Sequence, residues 1–200
     1  YAVTGRLTYT PWQQENQILH LGFSGSTRDL AGEKYKIKEH AEVHTAENIV
    51  TGSKIATDRL NVLGLETAWV QGAFSTQAEY FRAQLTAKHE EDVTYSGYYL
   101  QFSYFLTQES RPYKNGSFDG IKPHGRWGAW EVVGRYSVLD AVAQGEGNKA
   151  ANLTVGLNYY LNQQTRLMVN YLHTRLTEED KNQSERRSGN AFLVRMQYEF

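Results

Sequence analysis

The sequence contains no cysteine, which excludes disulfides, thiolate metal ligands and a cysteine nucleophile. It has only 3 prolines, Pro11, Pro112 and Pro123, so few positions force a break in a strand ladder. No run approaches the ~18 consecutive apolar residues that a transmembrane helix requires. That absence leaves strand-built membrane proteins open, because these cross a bilayer with ~9–11-residue strands of weak hydropathy. Neither sign of charge dominates: 21 basic residues stand against 22 acidic ones, so no global field argues for a nucleic-acid partner. The mean hydropathy of −0.61 fits a soluble protein and a polar-lumened barrel equally. What is abundant is tyrosine: 14 Tyr, with 8 Phe and 4 Trp, suit strands and membrane interfaces. The chain enters a strand-like pattern at Tyr1 with no methionine or signal segment, which reads as a processed or truncated product.

Period-two alternation runs through almost the whole chain, and helical periodicity is scarce. It predicts strands over 3–10, 18–26, 60–71, 73–88, 94–107, 127–139, 151–162, 165–176 and 190–200, with a bulge where the phase slips at Phe81–Arg82. These fill residues 1–200 as one all-β, antiparallel domain. The connections alternate in character. Residues 71–73 and 161–164 read as tight turns; 27–59, 89–93, 141–149 and 177–189 read as longer polar loops. Short turns at one end and long loops at the other are the habit of outer-membrane barrels. Residues 108–125 form a long connection on the short-turn side, and all three prolines fall in connections on that side.

Alternation alone does not separate a membrane barrel from a soluble sandwich or a soluble ligand-binding barrel. Two features favour lipid. The apolar face carries aromatics near its strand ends, among them Tyr9, Trp69, Tyr104, Trp130, Tyr159, Tyr198 and Phe200, as a girdle would. The opposite face is rich in Gly, Ser, Thr, Asn and Gln, where a solvated surface more often carries Lys and Glu.

The stretch "RWGAWEVVGRYSVLD" (126–140) resembles the aromatic-Glu-Arg-Tyr-Ser strand of phosphate- and polyphosphate-selective porins of Gram-negative outer membranes. "GLETAWVQGAFSTQAEYF" (64–81) is similar to their hairpin around a Gly-X-Phe-Ser turn, and the final "LVRMQYEF" to the terminal signature of outer-membrane barrels in general. The resemblance implies an antiparallel transmembrane barrel of about sixteen strands, anion-selective and trimeric, of which this chain supplies the C-terminal part. It also implies passive diffusion of inorganic phosphate or other small anions, without catalysis or cofactor. Outer-membrane lipid surrounds such a barrel, and the assembly machinery of that membrane reads the C-terminal strand.

The residues that would carry an anion pathway can be named. The inward faces of four strands supply Arg6, Arg135, Arg166 and Arg195, a candidate arginine ladder; planar guanidinium forks match phosphate oxygens. The competing reading is that inward Glu66, Glu79, Glu131 and Glu199 neutralise them, with Glu131 and Arg135 four residues apart on one strand face. In "EKYKIKEH" (33–40), an extended backbone puts Lys34, Lys36 and Lys38 on one face and Tyr35 and Ile37 on the other. With Arg28, Lys54 and Arg59, the 27–59 segment is either a basic vestibule folded inward or a solvated extracellular loop. "HAEVH" (40–44) has a helical zinc spacing in an extended context, so no metal site is assigned. An outer-membrane hydrolase or protease would need acids and a histidine gathered at the rim. His20, His89, His124 and His173 are scattered, with no recurring Ser and Asp partners.

Overall fold

A chain that alternates polar and apolar residues buries one face of a sheet, and each strand finds its sequence neighbour most cheaply by a tight reversal. The computed structural model follows that rule and describes residues 1–40, 42, 48–52, 54–87, 91–114, 116–181 and 183–199, with the side chains of 40, 48 and 49 also left aside. The wall is a nine-stranded antiparallel meander. Its strands are β1 (Ala2–Gln14), β2 (Gln17–Tyr35), β5 (Ile55–Gln71), β6 (Phe74–Ala87), β7 (Val93–Phe105), β10 (Ala129–Asp140), β11 (Glu146–Tyr160), β12 (Thr165–Asp180) and β13 (Gln183–Tyr198). Two small hairpins interrupt the series: β3 (Lys38–His40) with β4 (Asn48–Thr51), and β8 (Tyr113–Lys114) with β9 (Ser117–Phe118).

The expected nine strands are present; six of them, β1, β2, β5, β11, β12 and β13, are longer than expected, and β6, β7 and β10 are one or two residues shorter. Residues 177–189 are not a loop: β12 and β13 run on, register intact, to Asp180↔Gln183. Most of 27–59 and part of 141–149 are likewise strand. β2, with 19 residues, far exceeds the ~9–11 needed to cross a bilayer, so the wall overhangs at the long-loop end. Pro11 lies inside β1, not in a connection; it sits where the β1–β2 register shifts between Tyr9 and Trp12. A bulge tolerates the missing N–H there.

The phase slip at Phe81–Arg82 is not a bulge, because β6 pairs without interruption on both sides of it. Phe81 stays in the inward phase and lies over Gly97, where an added Cβ would meet its ring at 2.5 Å. The pattern slips because the inward face turns apolar at this height. Val50, Ile55, Leu85, Val93, Tyr95, Ala141 and Ala150 form a buried cluster there, with Tyr35 and Ile37 packed against it. The β3–β4 hairpin is thus folded into the wall's concave side. Register shifts at Asp29/Glu33 and Thr57/Arg59 flank its base, and such irregularities bend paired strands. From the short-turn side, residues 106–128 also enter. Ile121 packs with Phe105, Ala129 and Tyr160 in a second buried cluster.

The outward face carries two aromatic belts. At the short-turn end Trp69, Phe74, Tyr104, Trp130 and Tyr159 follow one another; Trp130 stacks on Tyr159 at 4.3 Å and Trp69 meets Phe74 edge-on at 5.7 Å. Tyr198 stands in the same outward phase, and Phe200 lies outside the described residues. Higher up are Tyr80, directly opposite Tyr98, then Tyr136 at 6.3 Å from Tyr98, and Tyr171. Along β7, Tyr98 and Tyr104 are six residues apart, about 20 Å of strand. Leu100, Phe102, Val132, Leu153, Val155 and Leu157 fill the band between and are exposed. A solvated surface this apolar is unfavourable, and a hydrocarbon layer removes the cost.

Candidate functional site

The inward phase of β10 presents Glu131, Val133, Arg135 and Ser137, and that of β11 presents Thr154 and Asn158. Arg135 is fixed from two sides by wall residues. Its guanidinium lies 3.7 Å above the Tyr99 ring centroid, and Nη1 donates to Gln101 Oε1 at 3.3 Å. Tyr99 is itself held, donating to Glu79 at 2.5 Å and accepting from Gln77 at 3.0 Å. Arg135 Nε donates to Glu42 Oε1 at 2.9 Å. The same oxygen accepts from Ser137 at 2.7 Å, and Oε2 accepts from Thr154 at 3.0 Å. Glu42 belongs to the inward-folded segment, so a loop carboxylate occupies a three-donor pocket in the opposite wall.

Glu131 does not neutralise Arg135. It is fully buried and pairs with Arg111 of the 106–128 insert. Ser103 also donates to Glu131, as do Asn158 and Tyr160, each at 2.8 Å. The Arg111 guanidinium sits 5.7 Å from the Phe105 ring and 5.6 Å from Phe118. Such a carboxylate requires its full set of donors, since an unpartnered buried charge is costly.

Arg166 completes the group. It donates to Gln197 Oε1 at 2.7 Å and to the Tyr160 hydroxyl at 3.4 Å, and has no carboxylate partner among the described residues. Arg111, Arg135 and Arg166 converge on an open cavity of about 260 Å³ that Glu42 and Glu131 also line. Three guanidiniums against two carboxylates leave one positive charge in excess. Neutral donors such as Asn158 and Thr154 complete the lining. Such a cavity can replace part of an anion's hydration shell without enclosing it.

The other expected residues fall in different places. Arg6 is inward and bound to Glu66, with Nε at 2.8 Å and Nη2 at 2.5 Å; Nη2 also reaches the Gly116 carbonyl at 3.2 Å. Buried His20 lies 3.0 Å from the same Glu66 oxygen and is hydrogen-bonded to the Tyr113 hydroxyl. Arg6 is therefore part of the brace that holds the insert. Arg195 is inward beside Met168 and forms no ion pair among the described residues. Arg28 is inward, across from Leu60. Lys36 and Lys38 are exposed on the hairpin arm while Ile37 is half-buried, the expected alternation.

Lys34 and Arg59 are not in the lumen. Tyr35 and Ile55 share the inward cluster, so Lys34 stands on the opposite face; Arg59 shares the outward phase of Leu63. Both project from the outer side of the overhanging wall. His44, half of the "HAEVH" pair, lies outside the described residues. Sequence reading missed Arg111 and Glu42. The signal for Arg111 was a long connection on the side where turns are short, with an arginine just before Pro112.

The chain matches the family model for phosphate-selective porin O and P over residues 1–200. It is 30% identical to Porin O of Pseudomonas aeruginosa over 98% of this chain and 52% of that protein. It is 33% identical to an uncharacterized protein of Caulobacter vibrioides over 70% of this chain and 30% of that one. The chain thus spans about half the length, or less, of these curated relatives. Among solved structures, outer-membrane expressed OmpT of Vibrio cholerae is similar in fold. The TM-score is 0.54 and the identity 13%, over 98% of this chain and 56% of that one.

Proposed function

The chain belongs to the phosphate-selective porin O and P family, and from that premise we propose that it forms part of an outer-membrane pore through which phosphate and other small anions diffuse passively, without catalysis. The observation that supports this most directly is the cavity of three inward arginines with one carboxylate too few to neutralise them. Further strands of the whole protein would close the wall between β1 and β13, the two edges of the sheet, since open edges in hydrocarbon are prohibitive. Lys36, Lys38 and Arg28 would form the outer part of the pathway, Arg135, Arg166 and Arg195 the inner part. Several weak sites in series favour release over trapping. Lipid would cover the two-belted outer face, the assembly machinery would engage the C-terminal strand, and three copies would associate. Crosslinking of the intact protein into a dimer or monomer alone would remove the trimer.

The test is planar-bilayer recording of the full-length protein in a chloride gradient, followed by added phosphate. An anion-selective reversal potential, with chloride current reduced by phosphate, is the expected result. A cation-selective reversal potential would overturn the reading.

A further inference from the structure

The outward phase of the nine wall strands holds its Lys and Arg residues at one height. Among the described residues these are Lys34, Arg59, Arg82, Lys149, Arg175 and Arg186, all on the long-loop side of the upper tyrosine belt. Between the belts, and at the short-turn rim, the outward phase of these strands carries no Lys or Arg among the described residues. A merely solvated overhang would not require this bias. Acids in the same outward zone include Asp29, Asp140 and Glu179, so the cations outnumber them.

The densest part of the zone lies on β11, β12 and β13. Register puts Lys149 beside Thr177 and Thr177 beside Arg186; Arg175 stands between Ala151 and Ser188, one diagonal step below. Diagonal neighbours on one face are ~7–8 Å apart, so Arg175 and Arg186 repel unless an anion lies between them. Lys149 is paired to Asp140 at 2.9 Å, whereas Arg175 and Arg186 have no ion pair or hydrogen bond among the described residues. Together they line an open groove of about 690 Å³ with Thr177, Ser188, Glu179 and Arg187, the last already paired with Glu178 and Glu185. Glu179 is engaged by the Ser184 hydroxyl at 3.1 Å. Directly below, His173 and Asn190 are bonded at 2.8 Å, and Tyr171 and Phe192 begin the apolar band. The groove therefore sits at headgroup height, with acyl-chain surface beneath it.

We propose that this groove binds the phosphate groups of an anionic membrane lipid, with Arg175 and Arg186 as forked ligands, Thr177 and Ser188 as neutral donors, and the lipid's chains on the band of Tyr171 and Phe192. The inference rests on the outward face meeting lipid; the anion chemistry of the lumen plays no part in it. Guanidinium forks pair with phosphate in two parallel hydrogen bonds, and the low dielectric of the adjoining chains strengthens them.

The test uses the full-length protein in neutral detergent, incubated with diphosphorylated lipid A or its dephosphorylated form, with bound lipid counted by native mass spectrometry. The expected result is about fivefold preferential retention of the phosphorylated lipid, abolished in Arg175→Gln/Arg186→Gln with heat-modifiable gel mobility retained. Glu179→Gln, which leaves both arginines in place, should raise retention about twofold. Equal retention of the two lipids by the native protein, or a fall in Glu179→Gln, would overturn the site. Reversal potentials of the double variant keep the two readings apart. Unchanged anion selectivity with lost lipid places the arginines outside the pore, and a shift as large as that of a lumen arginine would refute their outward role.

Discussion

Arg6, near one edge of the wall, and Arg166, near the other, occupy the same inward phase and serve different ends. Arg6 meets Glu66 through two nitrogens and ties in the insert through Gly116. Arg166 meets only neutral oxygens among the described residues, from Gln197 and Tyr160. A guanidinium beside a carboxylate presents little field to a passing anion; one held by amide and phenol oxygens keeps its charge. The residue type fixes the chemistry that is available. What stands opposite decides whether that chemistry braces the wall or faces the water.

The largest effect should come from Glu131, which holds Arg111 in the brace role on the charge-rich side. Glu131→Ala removes a fully buried acceptor of four partners and strands Arg111. Breaking one side of a buried pair costs about 3–5 kcal/mol. Urea unfolding followed by heat-modifiable mobility of the full-length protein reads this; a loss under about 1 kcal/mol would mean that the network is not structural. Arg166→Gln should leave stability nearly unchanged and act on selectivity instead. A unit charge about 6 Å from the ion path in water is worth roughly 0.7 kcal/mol, or about threefold in anion permeation. Reversal potentials indistinguishable from the native protein would place Arg166 with Arg6.

The face of each side chain was largely legible in the sequence, because strand alternation fixes it: Arg6, Arg135, Arg166 and Arg195 are inward, and Trp69, Tyr104, Trp130, Tyr159 and Tyr198 outward. Pairing was not. Glu131 and Arg135 lie four apart on one face, about 13 Å of strand, beyond a direct bond. Their true partners, Arg111 and Glu42, come from segments that leave the sheet and return across it, 20 and 93 residues away. Nothing in a period-two pattern carries that information. The role of Lys34 and Arg59 misled because 27–59 read as loop: β2 and β5 run on as wall through both residues, so Lys34, opposite inward Tyr35, and Arg59, in phase with Leu63, land outside. Likewise polar composition at 177–189 looked like loop because a strand that runs on above the apolar band needs no apolar face.

A smaller effect is expected at Glu42, where a loop carboxylate fills the donors of Arg135, Ser137 and Thr154. Arg135 keeps Tyr99 and Gln101 without it. Glu42→Gln should therefore shift the cavity toward the unneutralised state of Arg166, raising anion preference about twofold, less than a bare charge because the wall screens the pair. A fall in anion preference in bilayer recordings would show that Glu42 serves mainly to hold the loop.

The smallest effect is the sharpest test of the contrast between the two edges. Arg6→Gln/Glu66→Gln removes one charge of each sign from groups 2.5 Å apart. At the distance of a permeating ion such a pair is a short dipole, whose potential falls off faster than that of a single charge and is further screened in ~0.1 M salt. The reversal potential should hardly move, although the same arginine type is lost as in Arg166→Gln. The amide oxygen that replaces the Glu66 carboxylate can still accept from His20, so the Tyr113 contact survives while the Gly116 contact goes. A shift equal to that of Arg166→Gln would mean that Arg6 faces the ion path despite Glu66, and that pairing in the wall does not decide which arginines select.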